Sequence, residues 1–321
     1  MSHRASVPPP VTAVLDASGA WLPARLAAVE ERLKHAAAGH GETLGADAGA
    51  TLAAGGKRLR PMLVLLCAGR DAGAEAERAA AAIELVHMAT LVHDDVLDAA
   101  PLRRGRPTVA ATSGRGRAVA TGDLLFSRAF ALLAEAGDRE AVRVLADAAV
   151  ALARGELAQR QDAFDLSLTE ERYFERCRLK TATLFESACR LGRGDASLNG
   201  FGARIGLAFQ LLDDVLDVSG PPERTGKARG TDLLDGTVTL PLIEAIADDP
   251  GLREVELRSL DAAGAEAVCD RIAATGALDR VRSRALAMVA EAKRELEGGA
   301  AGPEQRRLLE LVADGVVQRY S

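Results

Sequence analysis

From Ile83 to Val92 the chain is apolar almost all round a helix: Ile83, Leu85, Val86, Met88, Ala89, Leu91 and Val92 leave no solvent-facing side. A helix of that kind has to be buried, so the fold must place other elements around it. Its polar exceptions are Glu84, His87, Thr90, Asp94, Asp95 and Asp98. Their helical angles fall within an arc of about 140°, with His93 outside it. One polar stripe on a buried helix points to a lined cavity.

The rest of the chain reads as more helix. From Leu22 the positions Leu22, Leu26, Val29 and Leu33 share one face. Ala- and Leu-rich runs follow, and both residues are strong helix formers. Glycine and proline clusters break them at Gly55-Gly56, Gly105 to Pro107, Gly192 to Gly194, Gly220 to Pro222 and Gly298 to Pro303. The pattern predicts helices near 60–70, 75–99, 116–135, 138–163, 169–191, 196–219, 231–247, 262–275, 278–296 and 303–319. No segment alternates as a strand does, so the fold class is all-α. A length of 321 residues would allow two domains, but no linker divides the pattern. The expectation is a flexible leader over residues 1–18 and one all-α domain over 19–321.

Asp94-Asp95-Val96-Leu97-Asp98 recurs letter for letter as Asp213-Asp214-Val215-Leu216-Asp217. On a helix, positions i, i+1 and i+4 lie within about 100°, so each copy gathers three carboxylates on one face. Gln210 joins the second copy's face. At about 6 Å and an effective dielectric near 20, each carboxylate pair repels by roughly 3 kcal/mol, so a cavity needs cations to hold them. Carboxylate-only donors favour hard divalent ions, and Mg²⁺ in particular binds through one or two carboxylates plus substrate phosphates. Two facing triads would form a clamp for Mg²⁺ and a diphosphate; solvated acidic patches are the bland alternative.

Phosphate also needs protein cations. Gly55-Gly56-Lys57-Arg58-Leu59-Arg60-Pro61 sets two glycines before a basic run, Arg103-Arg104-Gly105-Arg106 follows the first triad, and Gly226-Lys227 follows the second. Arginine is the default cation here: the lysines are Lys34, Lys57, Lys180, Lys227 and Lys293. The net charge of −6 offers no general attraction to nucleic acid, and 3% aromatics make a base-stacking platform unlikely. Cys67, Cys177, Cys189 and Cys269 are widely spaced and read as buried thiols of a cytoplasmic protein. Neither a signal-peptide core nor a run of about 18 apolar residues is present, so no stable membrane insertion is expected.

GGKRLRP, VHDDVLDAAPLRRGRPT, GDLLFSRAF, RGELAQ, LKTATLF, FQLLDDVLD and GKARGTDLLDG followed by TLP occur in this order between about Gly55 and Pro241. In this ordered set the chain resembles the trans-isoprenyl diphosphate synthases, the polyprenyl synthetase family. The resemblance implies a single bundle of about ten or more helices around a deep central cavity, as a homodimer. It implies head-to-tail condensation of an allylic diphosphate with isopentenyl diphosphate, dependent on Mg²⁺.

By the same resemblance Asp94, Asp98 and Asp213 are leading metal ligands, supported by Asp95, Asp214, Asp217 and Asp232. Lys57, Arg60, His87 and Arg104 match the isopentenyl diphosphate site. Arg103, Lys180 and Lys227 match allylic diphosphate contacts. Thr181 and Gln210 match groups near the developing cation. His87 could instead be a satisfied core histidine and Gln210 a helix–helix hydrogen bonder; the polar stripe favours ligand contact for His87.

Thr237 stands in Gly236-Thr237-Val238-Thr239-Leu240-Pro241 where the family often has lysine, which weakens one allylic contact. Ala89 and Thr90, one turn below Asp94, are small where farnesyl-forming members carry a bulky floor. The expected product is therefore geranylgeranyl diphosphate or longer, a long-chain polyprenyl diphosphate for a quinone side chain. Val86, Phe126 or Phe130 would set the stop. The rivals are a class I terpene cyclase and a non-catalytic regulatory subunit.

Overall fold

Residues 9–220, 229–299 and 301–318 are described by the structure, a computed structural model. They divide into two compact units, the first drawn from residues 1–149, 184–202 and 296–315, the second from 150–183, 203–295 and 316–321. The chain changes unit inside helices, so no linker separates them in sequence.

The first unit is built around α5 (Ala74–Leu97), the apolar helix of the sequence. No glycine or proline interrupts it, and Glu75 and Glu77 in its first turn suit the positive helix end. Ala79 to Val86 are all buried. Against it pack α2 (Trp21–Ala37), α3 (Gly41–Ala53), α4 (Leu59–Ala68), α6 (Val109–Ser113) and α7 (Arg115–Glu135). The helix stops at Asp98. Ala99 then turns left-handed at φ 49°, and the Ala100 N–H returns to the Asp95 carbonyl at 3.0 Å. That is a Schellman closure, with alanine where glycine is usual.

The loop after it holds a short antiparallel hairpin, β1 (Leu102–Arg103) and β2 (Arg106–Pro107). Its two turn residues, Arg104 at φ 54° and Gly105 at φ 74°, are both left-handed, the backbone a two-residue hairpin needs. Strands of two residues show no alternation, so the sequence pattern did not reveal them. Thr108 closes the loop: its hydroxyl donates to the Ala100 carbonyl at 2.7 Å and accepts the Ala111 N–H at 3.1 Å, capping α6.

Two more departures have local causes. The expected flexible leader is helical from Pro9 as α1 (Pro9–Ser18), with Val14 and Ser18 buried. Proline at the start of a helix loses no hydrogen bond, because the first N–H groups are unpaired anyway. Helix α3 escaped notice because Gly41, Gly45 and Gly49 depress its propensity; burial of Ala48 and Leu52 and the Asp47–Arg117 ion pair at 2.6 Å stabilise it instead.

The first unit also holds parts of α8 (Arg139–Gln161), α10 (Thr183–Arg193), α11 (Asn199–Ser219) and α16 (Pro303–Gln318). The second unit contains the rest of α8, α9 (Glu170–Cys177), a π-helical turn over Arg178–Ala182, most of α11, α12 (Thr231–Leu234), α13 (Leu240–Asp248), α14 (Ala262–Ala274) and most of α15 (Ala277–Glu297). The single helix expected over 231–247 is two, parted at Gly236, whose φ is 73°. Among the described residues no helix is long and apolar enough to cross a membrane.

Helices α4 and α10 approach closely at Gly192, where a Cβ would come 2.2 Å from the Val64 carbonyl oxygen and 2.8 Å from Cys67 Cβ. Gly192→Ala should therefore force the helices apart and cost about 2 kcal/mol or more. Gly49→Ala, where a Cβ meets nothing within 4 Å, should stabilise by roughly 0.5–1 kcal/mol. Urea unfolding midpoints of the two variants, moving in opposite directions at unchanged slope, check this.

Candidate active site

In the first unit, the acidic end of α5 is partly committed to arginine. Asp95 is buried and its Oδ1 accepts from Arg103 Nε at 2.6 Å, tying the hairpin to the helix. Asp94 is half-buried and Asp98 exposed. Farther down the stripe, Glu84 is 3% exposed and bonds Arg58 Nη1 at 2.8 Å. The Thr90 hydroxyl donates to its own helix at the His87 carbonyl, 2.8 Å away, and Ala89 is fully buried. The stripe thus combines buried ion-pair partners with the candidate ligands Asp94 and Asp98.

The glycine-basic loop is folded by the same pairs. Arg58, left-handed at φ 48°, precedes α4 and is held by Glu30 from α2 and Glu84 from α5. With Arg58 so neutralised, Lys57 is left exposed on one side and Arg60 enters the first turn of α4. Arg104 reaches back from the hairpin to the Gly55 carbonyl. A Cβ on Gly56 would lie 3.0 Å from both Arg58 Nη1 and Arg104 Nη1, so the two guanidiniums converge there.

Arg60 stacks its guanidinium 4.8 Å from the Phe185 ring centroid, and its buried Nε finds no hydrogen-bond partner among the described residues. Burial draws its pKa down to about 10, so it remains a cation at neutral pH. His87 is held well below its usual range by burial and by the charges of Arg60, Arg104, Arg103 and Arg58. A neutral imidazole set among four guanidiniums, one with an unsatisfied donor, is suited to an anion carrying several oxygens.

In the second unit the π-helical turn carries Lys180 and Thr181. Such a turn inserts one residue into a helix and is common at functional positions. Gly155 on α8 gives it room: a Cβ there would lie 2.8 Å from the Lys180 backbone nitrogen. The next residue, Glu156, pairs with Lys180 Nζ at 2.5 Å and with Arg160 at 3.0 Å. These contacts account for the glycine and glutamate of the Arg-Gly-Glu motif.

A hydrogen-bond chain then runs from Thr181 Oγ1 to Gln210 Oε1 at 2.7 Å, and from Gln210 Nε2 to Asp214 Oδ1 at 2.7 Å. Tyr173 Oη donates to Asp214 Oδ2 at 2.5 Å. Asp214 is buried with both oxygens engaged, and Asp213 beside it is half-buried. Burial pushes its carboxyl above the usual range; the hydrogen bonds from Tyr173 and Gln210 oppose this, and Asp213 adds to it. Asp217 Oδ2 accepts the Asp232 N–H at 3.2 Å, fixing the segment that begins α12.

Thr237 is half-buried, its N–H bonded to the Asp232 carbonyl at 2.7 Å, and Arg176 holds the next carbonyl, Val238, at 2.5 Å. Lys227 lies outside the described residues. Sequence reasoning missed Tyr173, Glu156 and Glu84 as partners of the candidate residues. The signal available was Tyr173's place two turns before Lys180 and Glu84's place on the polar stripe.

Among the described residues no three His, Cys, Asp or Glu side chains converge as a preformed metal cage. The donors themselves, half-buried or exposed aspartates without histidine or cysteine, fit Mg²⁺, which keeps water and shares its shell with phosphate oxygens.

Residues 42–272 match the polyprenyl synthetase family. Over 245 residues, 73% of this chain and 77% of the other, the sequence is 43% identical to heptaprenyl diphosphate synthase component 2 of Geobacillus stearothermophilus. It is 36% identical over 247 residues to octaprenyl diphosphate synthase of Escherichia coli K12, covering 72% of this chain and 76% of that one. Among solved structures, a polyprenyl synthase from Caulobacter crescentus CB15, complexed with calcium and isoprenyl diphosphate, is similar at a TM-score of 0.88 and 34% identity. It covers 97% of this chain and 98% of its own. The all-α expectation of the isoprenoid synthase type is borne out.

The His87 environment is open to direct measurement. At pH 7 its ring carbons should show neutral-imidazole NMR shifts, because burial and then the four nearby guanidiniums disfavour the charged ring. Inorganic pyrophosphate should raise its pKa, since an anion favours the charged ring. A His87 that titrates near 6.5 in the free protein, unmoved by pyrophosphate, would contradict the assignment.

Proposed function

The chain belongs to the polyprenyl synthetase family, and on that footing we propose that it condenses an allylic diphosphate with isopentenyl diphosphate, head to tail. The carbon–oxygen bond of the allylic diphosphate breaks and diphosphate leaves with the electron pair. The isopentenyl double bond attacks the allylic carbon, and a proton is lost from the adduct to the released diphosphate. The product is one isoprene unit longer. The observation that carries this reading is the cationic cluster of Arg60, Arg103 and Arg104 around a neutral His87, beside a helix ending in aspartates.

In this reading Lys57, Arg60, His87 and Arg104 hold the isopentenyl diphosphate. A neutral His87 donates one N–H to a phosphate oxygen without adding to the crowd of charges. Lys180, released in part from Glu156, and Arg103, shared with Asp95, hold the allylic diphosphate together with Lys227. Asp94, Asp98 and Asp213 are the metal ligands; Asp95, Asp214, Asp217 and Asp232 orient their surroundings. Mg²⁺, when bound, supplies charge neutralisation to the departing diphosphate. Thr181 and Gln210 turn oxygen atoms toward the allylic carbon as it becomes positive.

In this reading the small side chains of Ala89 and Thr90, one turn below Asp94, put no bulky floor under a growing chain. We assign a product of geranylgeranyl length or longer, in line with the named products of the heptaprenyl and octaprenyl relatives. The assembly we assign is a homodimer in the cytoplasm. The Geobacillus relative is named as one component of its synthase, so a partner subunit is the alternative that light scattering of the purified chain would reveal.

Incubation with farnesyl diphosphate, radiolabelled isopentenyl diphosphate and Mg²⁺ should extend the primer. Chelation should stop the reaction, and chromatography of the dephosphorylated products should give chains of geranylgeranyl length or longer. Farnesyl diphosphate as sole product from shorter primers, with no extension, would refute the length assignment. Thr237→Lys should lower the KM for the allylic diphosphate by up to about fivefold at unchanged kcat, the worth of one exposed charge contact.

A further inference from the structure

Tyr173 belongs to none of the motifs that suggest the reaction, yet it is 1% exposed and its hydroxyl ends inside the hydrogen-bond chain of the second unit. The direction of that chain is fixed by donor chemistry. Asp214 accepts the Tyr173 hydroxyl on Oδ2 and the Gln210 amide N–H on Oδ1, and these two donors favour its accept-only, ionised form against the opposing effect of burial. With its nitrogen so engaged, Gln210 must turn its carbonyl oxygen the other way, where it accepts the Thr181 hydroxyl at 2.7 Å. Thr181 has then given away its one O–H and presents only lone pairs on its free side. Each link therefore leaves an oxygen, not a hydrogen, at the Thr181 end.

We propose that Tyr173 is a positioning residue that, through Asp214, fixes the orientation of the Gln210 amide and so aims the Gln210 and Thr181 oxygens at the developing allylic cation. This rests on the condensation reading above. Within the second aspartate motif this gives Asp214 the ordering of dipoles. A phenol buried two turns before Lys180 anchors that order, because Asp214 held from one side only could swing and let the amide flip. A flipped amide would point N–H groups at a cation, which opposes rather than stabilises its charge.

The test is a double-mutant cycle on the full-length protein. Tyr173→Phe should lower kcat about tenfold, the scale of one charge-assisted hydrogen bond. KM for both diphosphates and the Mg²⁺ concentration for half activity should stay within about twofold. In a Gln210→Ala background the same substitution should change kcat by less than about twofold, because the group it positions is gone. Additive effects, or a change confined to KM or to Mg²⁺ dependence, would overturn the proposal. Should Tyr173→Phe melt far below wild type, Asp214→Asn, read in the same cycle, decides instead: non-additivity with Gln210→Ala supports the relay and additivity rejects it. A wild-type protein that forms no prenyl product would overturn the condensation reading and this relay together; an active wild type with an additive cycle overturns the relay alone.

Discussion

Acidic side chains on a helix buried on nearly every side have to be compensated, and in this molecule arginine does it. Glu84 meets Arg58 and Asp95 meets Arg103, one pair at each end of the polar stripe of α5. Breaking either pair would leave a buried charge without its partner, which costs several kcal/mol. The pairs also shape the loops that bear the arginines. Arg58 sets the start of α4 and hence the position of Arg60, while Arg103 pins the hairpin that projects Arg104. The cations proposed to meet substrate are therefore held in place by the acids of the helix they adjoin.

The second unit solves a different problem with different means. It arranges a hydrogen-bond chain with a definite polarity, from Tyr173 through Asp214 and Gln210 to Thr181. A π-helical turn and the missing side chain of Gly155 bring Lys180 and Thr181 into that chain's neighbourhood. Where the first unit gathers charge suited to an incoming anion, this one gathers oxygens suited to a transient cation.

Much of the fold was legible because alanine and leucine dominate the long helices and glycine or proline marks their ends; the α5, α7, α8 and α11 boundaries came out close to the expected ones. What stayed hidden was short or supported from elsewhere. The hairpin has two residues per strand, α3 is rich in glycine and relies on tertiary contacts, and the split near Gly236 depends on one left-handed residue. In the site, the residues with chemical identity stood out: the duplicated aspartates, the scarce lysines, the arginine clusters. Their partners did not. Glu84 looked like cavity lining until Arg58 was seen against it, Asp214 stood only as a support of the leading metal ligands with no sign of the partners on its two oxygens, and Tyr173 carried no motif at all.

Arg58 and Arg104 both adopt left-handed backbone, at φ 48° and 54°, a conformation that costs a side-chain-bearing residue free energy. Each sits next to the glycine-rich stretches that would adopt it without strain. At Arg104, selection for heat resistance alone would therefore favour glycine while stripping a cation from the cluster around His87; at Arg58 it would not, because the ion pair with buried Glu84 outweighs the backbone strain. At Arg104 robustness and substrate capture thus pull in opposite directions, whereas at Arg58 the strained backbone is held by the same ion pair that sets the start of α4.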